Sequence, residues 1–421
     1  MLGGAAGRFC TPSSVAGPFR LCAVTGFQNR TNDIVYCPPL IRGNDEESTA
    51  VVYFGGDVQD FPESMETNRD SRGYMKYNLE STAALLRNGF PRFHIIVIRP
   101  VRMEFKTFSC FDNFVRGNNA GVPDHTPMNH ALQHLEKLLQ NISIRLKSLP
   151  DNEIVAQVAS TSSASNSAPN NDGSQDMDID ILQVQDTVTV HAEDAMVFPC
   201  REETNNVITS IHSNASATND IIQNNIHFSS ADCQNLQMNK NNHMWWKDNV
   251  NLDKSKLILI GFSKGCVVLN QFIYEFHYLK TLTPDDSTMI RLLSRIREMY
   301  WLDGGHGGQK NTWITSRSLL ETLTRLGINI HVHVTPYQVQ DDRRPWIRKE
   351  EKIFTDMLRR LGAPVTRQLH FDSTAANLFT HFEVLQAFCQ HIQMHNQQQH
   401  QMQGQQQQQH RTITDPVNDV K

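Results

Sequence analysis

Short buried runs and longer helical periods alternate along the chain. Ala50-Val51-Val52-Tyr53-Phe54 is a β-branched and aromatic run stopped by Gly55-Gly56-Asp57, the pattern of a strand. Leu79, Ala83 and Leu86 recur at helical spacing between Tyr74 and Asn88, with Gly89 placed to end the helix. The segment from Phe93 to Ile98 is almost continuously apolar, which predicts a strand covered on both faces. A long connection then passes through Phe108-Ser109-Cys110-Phe111-Asp112-Asn113-Phe114. Leu132, Leu135, Leu138, Leu139 and Ile142 follow on one face of a helix predicted from Asn129 to Lys147.

The second half repeats the alternation. Lys256-Leu257-Ile258-Leu259-Ile260 predicts a third buried strand, leading straight into Gly261-Phe262-Ser263-Lys264-Gly265-Cys266 and a helix reaching Tyr278. Strand-like segments follow at Met299 to Leu302, Ile328 to Thr335 and Val365 to Phe371, separated by helical patterns at Ser287 to Arg297, Ser316 to Leu326 and Trp346 to Leu361. A last helical run covers Phe382 to His391. Strands alternating with helices of this length predict an α/β fold of the α/β-hydrolase type: a mostly parallel sheet with helices on both faces.

Composition divides this pattern. Residues 151–250 and 392–421 are rich in Asn, Ser, Gln and His and poor in apolar clusters, so burial cannot offset their chain entropy. They are expected to be a disordered insert and a disordered Gln/His-rich tail, flanking a domain in two parts, 33–150 and 251–391. Residues 1–32 carry Arg8, Arg20 and Arg30 and no acidic residue, which suits a mitochondrial presequence and a matrix destination. A formal net charge of -5 with mixed signs excludes the broad basic field of a nucleic-acid binder. The eight cysteines contain no C-x-x-C pair, as expected of reduced cysteines, and no apolar run approaches the ~20 residues of a transmembrane segment.

Gly261-Phe262-Ser263-Lys264-Gly265 has the G-x-S-x-G form, and its position between a strand and a helix is what gives it weight as a nucleophile elbow. At such an elbow Ser263 takes a strained backbone conformation that projects its hydroxyl above the sheet. Side chains at Gly261 and Gly265 would strike the adjoining strand and helix. The plainer alternative is a ligand-binding turn without catalysis. An oxyanion hole needs preorganised donors, for which the Lys264 N–H and the Gly55-Gly56 segment are the candidates. Simple strand termination is the competing explanation of those glycines.

The base is expected beyond the last strand. His381, ten residues past Phe371, has that placement. His306, at a strand end in Asp303-Gly304-Gly305-His306, is its rival, whereas His370 sits inside a strand and His331 and His333 share one strand face without a nearby carboxylate. For the acid, Asp341 is favoured over Asp303 because the carboxylate usually follows the strand next to the last. No metal or cofactor is called for. The insert should leave from the end of the sheet opposite Ser263, so the loop after Ile98 is the better candidate for a lid.

Phe54-Gly55-Gly56-Asp57-Val58-Gln59, Phe108 to Phe114, Gly261 to Cys266, Tyr300-Trp301-Leu302-Asp303-Gly304-Gly305-His306 and Val334-Thr335-Pro336-Tyr337-Gln338 together resemble the animal family of human chromosome 2 open reading frame 69 protein. The resemblance spans about Val51 to Ala387. It implies a mitochondrial protein similar to esterases and lipases, in a family whose reaction and substrate are not established. The chain lacks the His-Gly-Gly-Gly stretch of many lipases. Two functions follow: a serine hydrolase acting on an ester or thioester of a small acyl substrate or lipid, or a catalytically silent scaffold whose insert recruits a protein partner.

Overall fold

Ten strands form among the described residues of the computed structural model, which are 17–43, 48–154, 156–157, 244–283 and 285–414. They are β1 (Phe19–Thr25), β2 (Thr31–Cys37), β3 (Thr49–Phe54), β4 (His94–Ile98), β5 (Arg102–Glu104), β6 (Phe108–Cys110), β7 (Lys256–Phe262), β8 (Ile296–Leu302), β9 (Asn329–Val334) and β10 (Val365–Leu369). Strands β5 and β6 make a separate hairpin. The other eight form one sheet in the order β1-β2-β4-β3-β7-β8-β9-β10. From β4 to β10 every neighbouring pair is parallel, and β2 pairs antiparallel with β1 and β4.

The twofold alternation of strand side chains splits the core into two layers. Val52, Phe54, Leu257, Leu259, Met299 and Trp301 point to one face, where the helices Ala131–Ser148, Cys266–Leu282, Arg317–Arg325 and Pro345–Arg360 cover them. Val51, Tyr53, Ile258, Ile260, Tyr300 and Leu302 point to the other, covered by the helix Leu79–Gly89 and the helix Leu378–Thr414. This is the α/β-hydrolase-type arrangement, with both faces of a mostly parallel sheet buried.

Glu275 shows how helices are fixed on one another. The helix Ala131–Ser148 starts after His130, which has φ 59° and no side-chain cap. Buried Glu275, on the helix Cys266–Leu282, supplies the missing acceptors: Oε1 takes the N–H groups of Asn129 (2.8 Å) and Ala131 (2.9 Å), and Oε2 that of Leu132 (3.0 Å). A carboxylate at a helix N-terminus satisfies otherwise orphaned donors and favours the helix dipole.

Several segment boundaries differ from the sequence expectation. The proposed presequence 1–32 runs into the fold, because β1 and the start of β2 lie within it and Phe19, Leu21 and Val24 are core residues. Residues 1–16 lie outside the described residues. The insert is likewise shorter at both ends. Ile154, Trp246 and Val250 are buried, and Lys247 Nζ ties the two stems by donating to Leu149 O (2.6 Å) and Asp151 Oδ1 (2.5 Å). One aromatic cluster within an Asn-rich stretch was enough to dock the second stem: Trp246 packs on Tyr36 with ring centroids 5.5 Å apart. Residues 158–243, which hold the rest of the expected insert, lie outside the described residues. The tail expected to be disordered continues the last helix as far as Thr414, since glutamine is a good helix former and no proline intervenes before Pro416.

Candidate active site

The end of β7 and the turn after it carry Ser263. Its φ is 50°, an uncommon left-handed value for a residue with a side chain, and the turn passes into the helix Cys266–Leu282. Close packing requires the flanking glycines. A Cβ on Gly265 would stand 2.0 Å from Phe54 O, and one on Gly261 would stand 2.9 Å from the Cys266 backbone. The strand-turn-helix crossing is therefore open only to glycine at both positions.

Asp303 follows β8 in the same way, with φ 47° and complete burial. Thr335, at the end of β9, donates to it twice: its N–H to Oδ1 (2.7 Å) and its Oγ1 to Oδ2 (2.6 Å). The second carboxylate oxygen also meets Nδ1 of His381 at 2.6 Å. That contact engages Nδ1 and leaves Nε2 as the ring nitrogen that Asp303 does not reach.

His381 is buried and held on both faces of its ring. Phe262 stacks on it at 4.8 Å and Tyr337 lies tilted against it at 4.9 Å. It lies in the first turn of the helix Leu378–Thr414 rather than on a loop ahead of it. Asn377 sets that start, its Oδ1 accepting from Thr380 N–H (2.8 Å) and its carbonyl from His381 N–H (3.3 Å). Ser263 and His381 are thus brought to the same end of the sheet through adjacent Phe262. Among the described residues no hydrogen bond joins the Ser263 hydroxyl to the imidazole.

Asp341, favoured from the sequence, is not brought to His381. It accepts from Arg344 Nε (2.8 Å), Arg343 Nε (3.2 Å) and Arg343 N–H (2.9 Å). Burial works against its charge, but these donors and the Arg344 guanidinium outweigh it and hold its carboxyl below the usual range. His306 is also committed elsewhere: Nε2 is 3.2 Å from Asn311 O and Nδ1 accepts from Gly308 N–H (3.0 Å). Burial lowers its pKa to about 4. His370 pairs with His333 at 2.8 Å, and His331 and His333 both stack on Tyr300, as their common strand face requires.

Of the expected oxyanion donors, Gly56 is the one the structure does not offer, because its N–H donates to Gln59 Oε1 at 2.9 Å. Gly56 nonetheless lies against Ser263, where an added Cβ would be 2.8 Å from the Ser263 Cβ. Gly55 and the Lys264 N–H remain in place as candidates. The Lys264 side chain adds a feature the sequence did not indicate. It is buried, donates from Nζ to Ala120 O (2.8 Å) and lies 3.7 Å from Asp57 Oδ2. Burial raises the Asp57 carboxyl while the Lys264 ammonium pulls it down.

The segment expected as a lid is the β5–β6 hairpin and the loop after it. Ser109 ties it to the elbow, its N–H donating to Asp57 Oδ1 (2.8 Å) and its hydroxyl to Gly56 O (2.6 Å). The stems of the insert meet the sheet at the other end, where Lys256 N–H donates to Ser48 O. Among the described residues no group of three or more His, Cys, Asp or Glu is arranged to hold a metal ion, and no helix is long and apolar enough to cross a membrane.

The model of the C2orf69 family matches residues 20–364. The mouse protein named mitochondrial protein C2orf69 homolog is 32% identical over 360 residues, covering 85% of this chain and 83% of its own length. The human protein named mitochondrial protein C2orf69 is 32% identical over 338 residues, 80% of this chain and 74% of its own. Among solved structures, esterase Est22 superposes with a TM-score of 0.38 at 9% identity, covering 91% of this chain and 80% of that one.

Proposed function

The chain belongs to the C2orf69 family, and we propose that it is a serine hydrolase cleaving an ester or thioester of a small acyl substrate or lipid. In this reading Ser263 is the nucleophile, His381 the general base and Asp303 the residue that orients the imidazole. The contact between Asp303 Oδ2 and His381 Nδ1 carries the proposal. It fixes the tautomer with the proton on Nδ1, presents Nε2 to the serine proton and stabilises the imidazolium that forms on attack.

The steps follow from that placement. Ser263 Oγ attacks the acyl carbon as Nε2 takes its proton, and the carbonyl oxygen becomes an oxyanion beside the Lys264 N–H. His381 then returns the proton to the leaving alcohol or thiol, and water, activated by the same imidazole, releases the acid. The Ser263 to His381 hydrogen bond forms with substrate, as catalytic contacts often tighten only in the complex. The names of the mouse and human relatives support a mitochondrial location for this chain, with the matrix as the compartment proposed.

Labelling with a fluorophosphonate probe tests the reading. Wild-type protein should label and Ser263→Ala should not. No labelling of wild type, under conditions where a control hydrolase reacts, would sink it. One observation favours the second reading, a silent hydrolase-fold scaffold: the Gly56 N–H is already engaged by Gln59, which removes one expected oxyanion donor. The partner segment proposed for that role falls within 158–243, outside the described residues.

A further inference from the structure

At the end of the sheet opposite Ser263, where β3 and β4 begin, there is a cavity of about 540 Å³. The parallel register sets its distance from the elbow. Thr49 is level with Lys256 at the start of β7, and β7 runs seven residues to Phe262, roughly 20 Å of strand at ~3.3 Å per residue. The cavity is therefore separate from the proposed active site.

Three cations surround it: Arg42, Arg92 and Lys254. Backbone bonds hold the first two on one rim, since the N–H groups of Leu40 and Ile41 both donate to Pro91 O (2.8 and 3.0 Å). The bond from Lys256 N–H to Ser48 O (2.9 Å) brings in the third. None of the three forms a salt bridge with a described residue, and no described residue lining the cavity is a carboxylate. The three side chains are exposed, so solvent screens their mutual repulsion, and with no described carboxylate in the lining they present a positive rim to an anionic ligand.

The walls supply flat apolar surface and unused donors. Trp245 and Trp246 both line the cavity, with the Arg42 guanidinium 5.9 Å from the Trp245 ring centre. Trp246 is 1% exposed and its Nε1–H has no hydrogen-bond partner among the described residues, an uncommon state for a buried donor. His94, also buried and lining the cavity, uses Nδ1 for the Tyr36 hydroxyl (2.7 Å). If that hydroxyl donates, the ring proton sits on Nε2.

We propose that this cavity binds a nucleoside phosphate, with Arg42, Arg92 and Lys254 holding the phosphates and Trp245 stacking on the base. Guanidinium groups match phosphate oxygens in pairs, and an indole face accepts any flat heteroaromatic ring. The ligand belongs to the far end of the sheet and takes no part in acyl transfer.

Calorimetric titration of the full chain with ADP, pyrophosphate and adenosine tests this. ADP should bind, pyrophosphate should compete with it, and adenosine alone should bind at least tenfold more weakly. Arg42→Ala with Arg92→Ala should weaken ADP tenfold or more at an unchanged thermal midpoint, and Trp245→Leu should weaken ADP more than pyrophosphate. Ser263→Ala should bind ADP as wild type does, which separates this site from the hydrolase reading. Absence of ADP binding, or equal affinity in the double-arginine variant, overturns the proposal. Equal affinity for pyrophosphate and ADP overturns the nucleoside assignment. ADP binding that emerges only after Asp45, Glu46 and Glu47 are changed to amides would mean that the chain's own carboxylates answer these cations, and overturns it too.

Discussion

Asp303 Oδ2 and His381 Nδ1 meet at 2.6 Å across 78 residues of sequence, inside a site from which solvent is excluded. Two features hold them there. Thr335 spends both its N–H and its hydroxyl on the carboxylate, and Phe262 and Tyr337 confine the imidazole. The positive φ of Asp303 and of Ser263 places strained residues at the ends of adjacent strands, where strain of about 1–3 kcal/mol each persists only if surrounding contacts fix it.

Asp303→Asn and Asp341→Asn should separate the two carboxylates. The first leaves the shape of the site but favours the wrong imidazole tautomer, so kcat on a p-nitrophenyl ester should drop by about 10⁴. Asp341 pairs with Arg343 and Arg344 and not with His381, so its amide should keep kcat within about threefold of wild type. Equal losses in the two variants would contradict the assignment of the acid.

Gly265→Ala tests the packing of the elbow. The new Cβ would overlap Phe54 O at 2.0 Å, a backbone atom that can move only if β3 shifts. Overpacking of this kind typically costs about 1–3 kcal/mol or more. The variant should lose several degrees of thermal midpoint and its probe labelling together. A variant as stable as wild type would show that the turn and strand are less closely apposed than described.

The strands with uninterrupted apolar runs, β3, β4 and β7, were legible because burial on both faces leaves no polar alternation to misread. β1 and β2 were not, since Arg20, Arg30 and Asn32 gave that stretch the composition of a leader while Phe19, Leu21, Ile34 and Tyr36 carried the core. That Ser263 and His381 come to one end of the sheet was legible from motif and chain order. That His381 meets Asp303 and not Asp341 was not, because it depends on where Thr335 and Arg344 direct their donors, contacts 32 and 3 residues long that spacing does not encode. The role of Gln59 at the Gly56 N–H was hidden for a similar reason: a glutamine three residues on is equally compatible with a free donor.

Glu275→Ala should be among the more destabilising single changes outside the elbow. It removes the acceptors of three N–H groups at the start of the helix Ala131–Ser148, two of which, those of Ala131 and Leu132, are buried. Each unsatisfied buried donor costs about 1–3 kcal/mol, so a loss of roughly 3 kcal/mol is expected even after partial relaxation. Chemical denaturation measures it. Glu275→Gln should recover part of the loss, because its single carbonyl oxygen can still accept from Asn129 and Ala131. A change below about 1 kcal/mol for the alanine variant would show that the cap adds little.

Stability should fall as pH drops below about 6.5, and His134 gives the clearest cause. Its Nδ1 accepts from Phe27 N–H (3.1 Å) and its Nε2 lies 2.8 Å from Asn32 Oδ1, so the ring must stay neutral to keep both bonds. Burial is the main reason its pKa drops to about 3, and burial likewise takes His94 to about 4. In the unfolded chain these rings titrate near 6.5. Between the two values the unfolded state binds more protons, so folding stability increases with pH through that window. It is fully present above about 6.5 and is lost progressively as pH falls toward the folded values. Thermal midpoints measured from pH 7.5 to 4.5 should therefore decline, and His134→Gln should start lower at pH 7.5 but decline less steeply. A midpoint independent of pH over that range would mean that neither ring is held neutral by the fold.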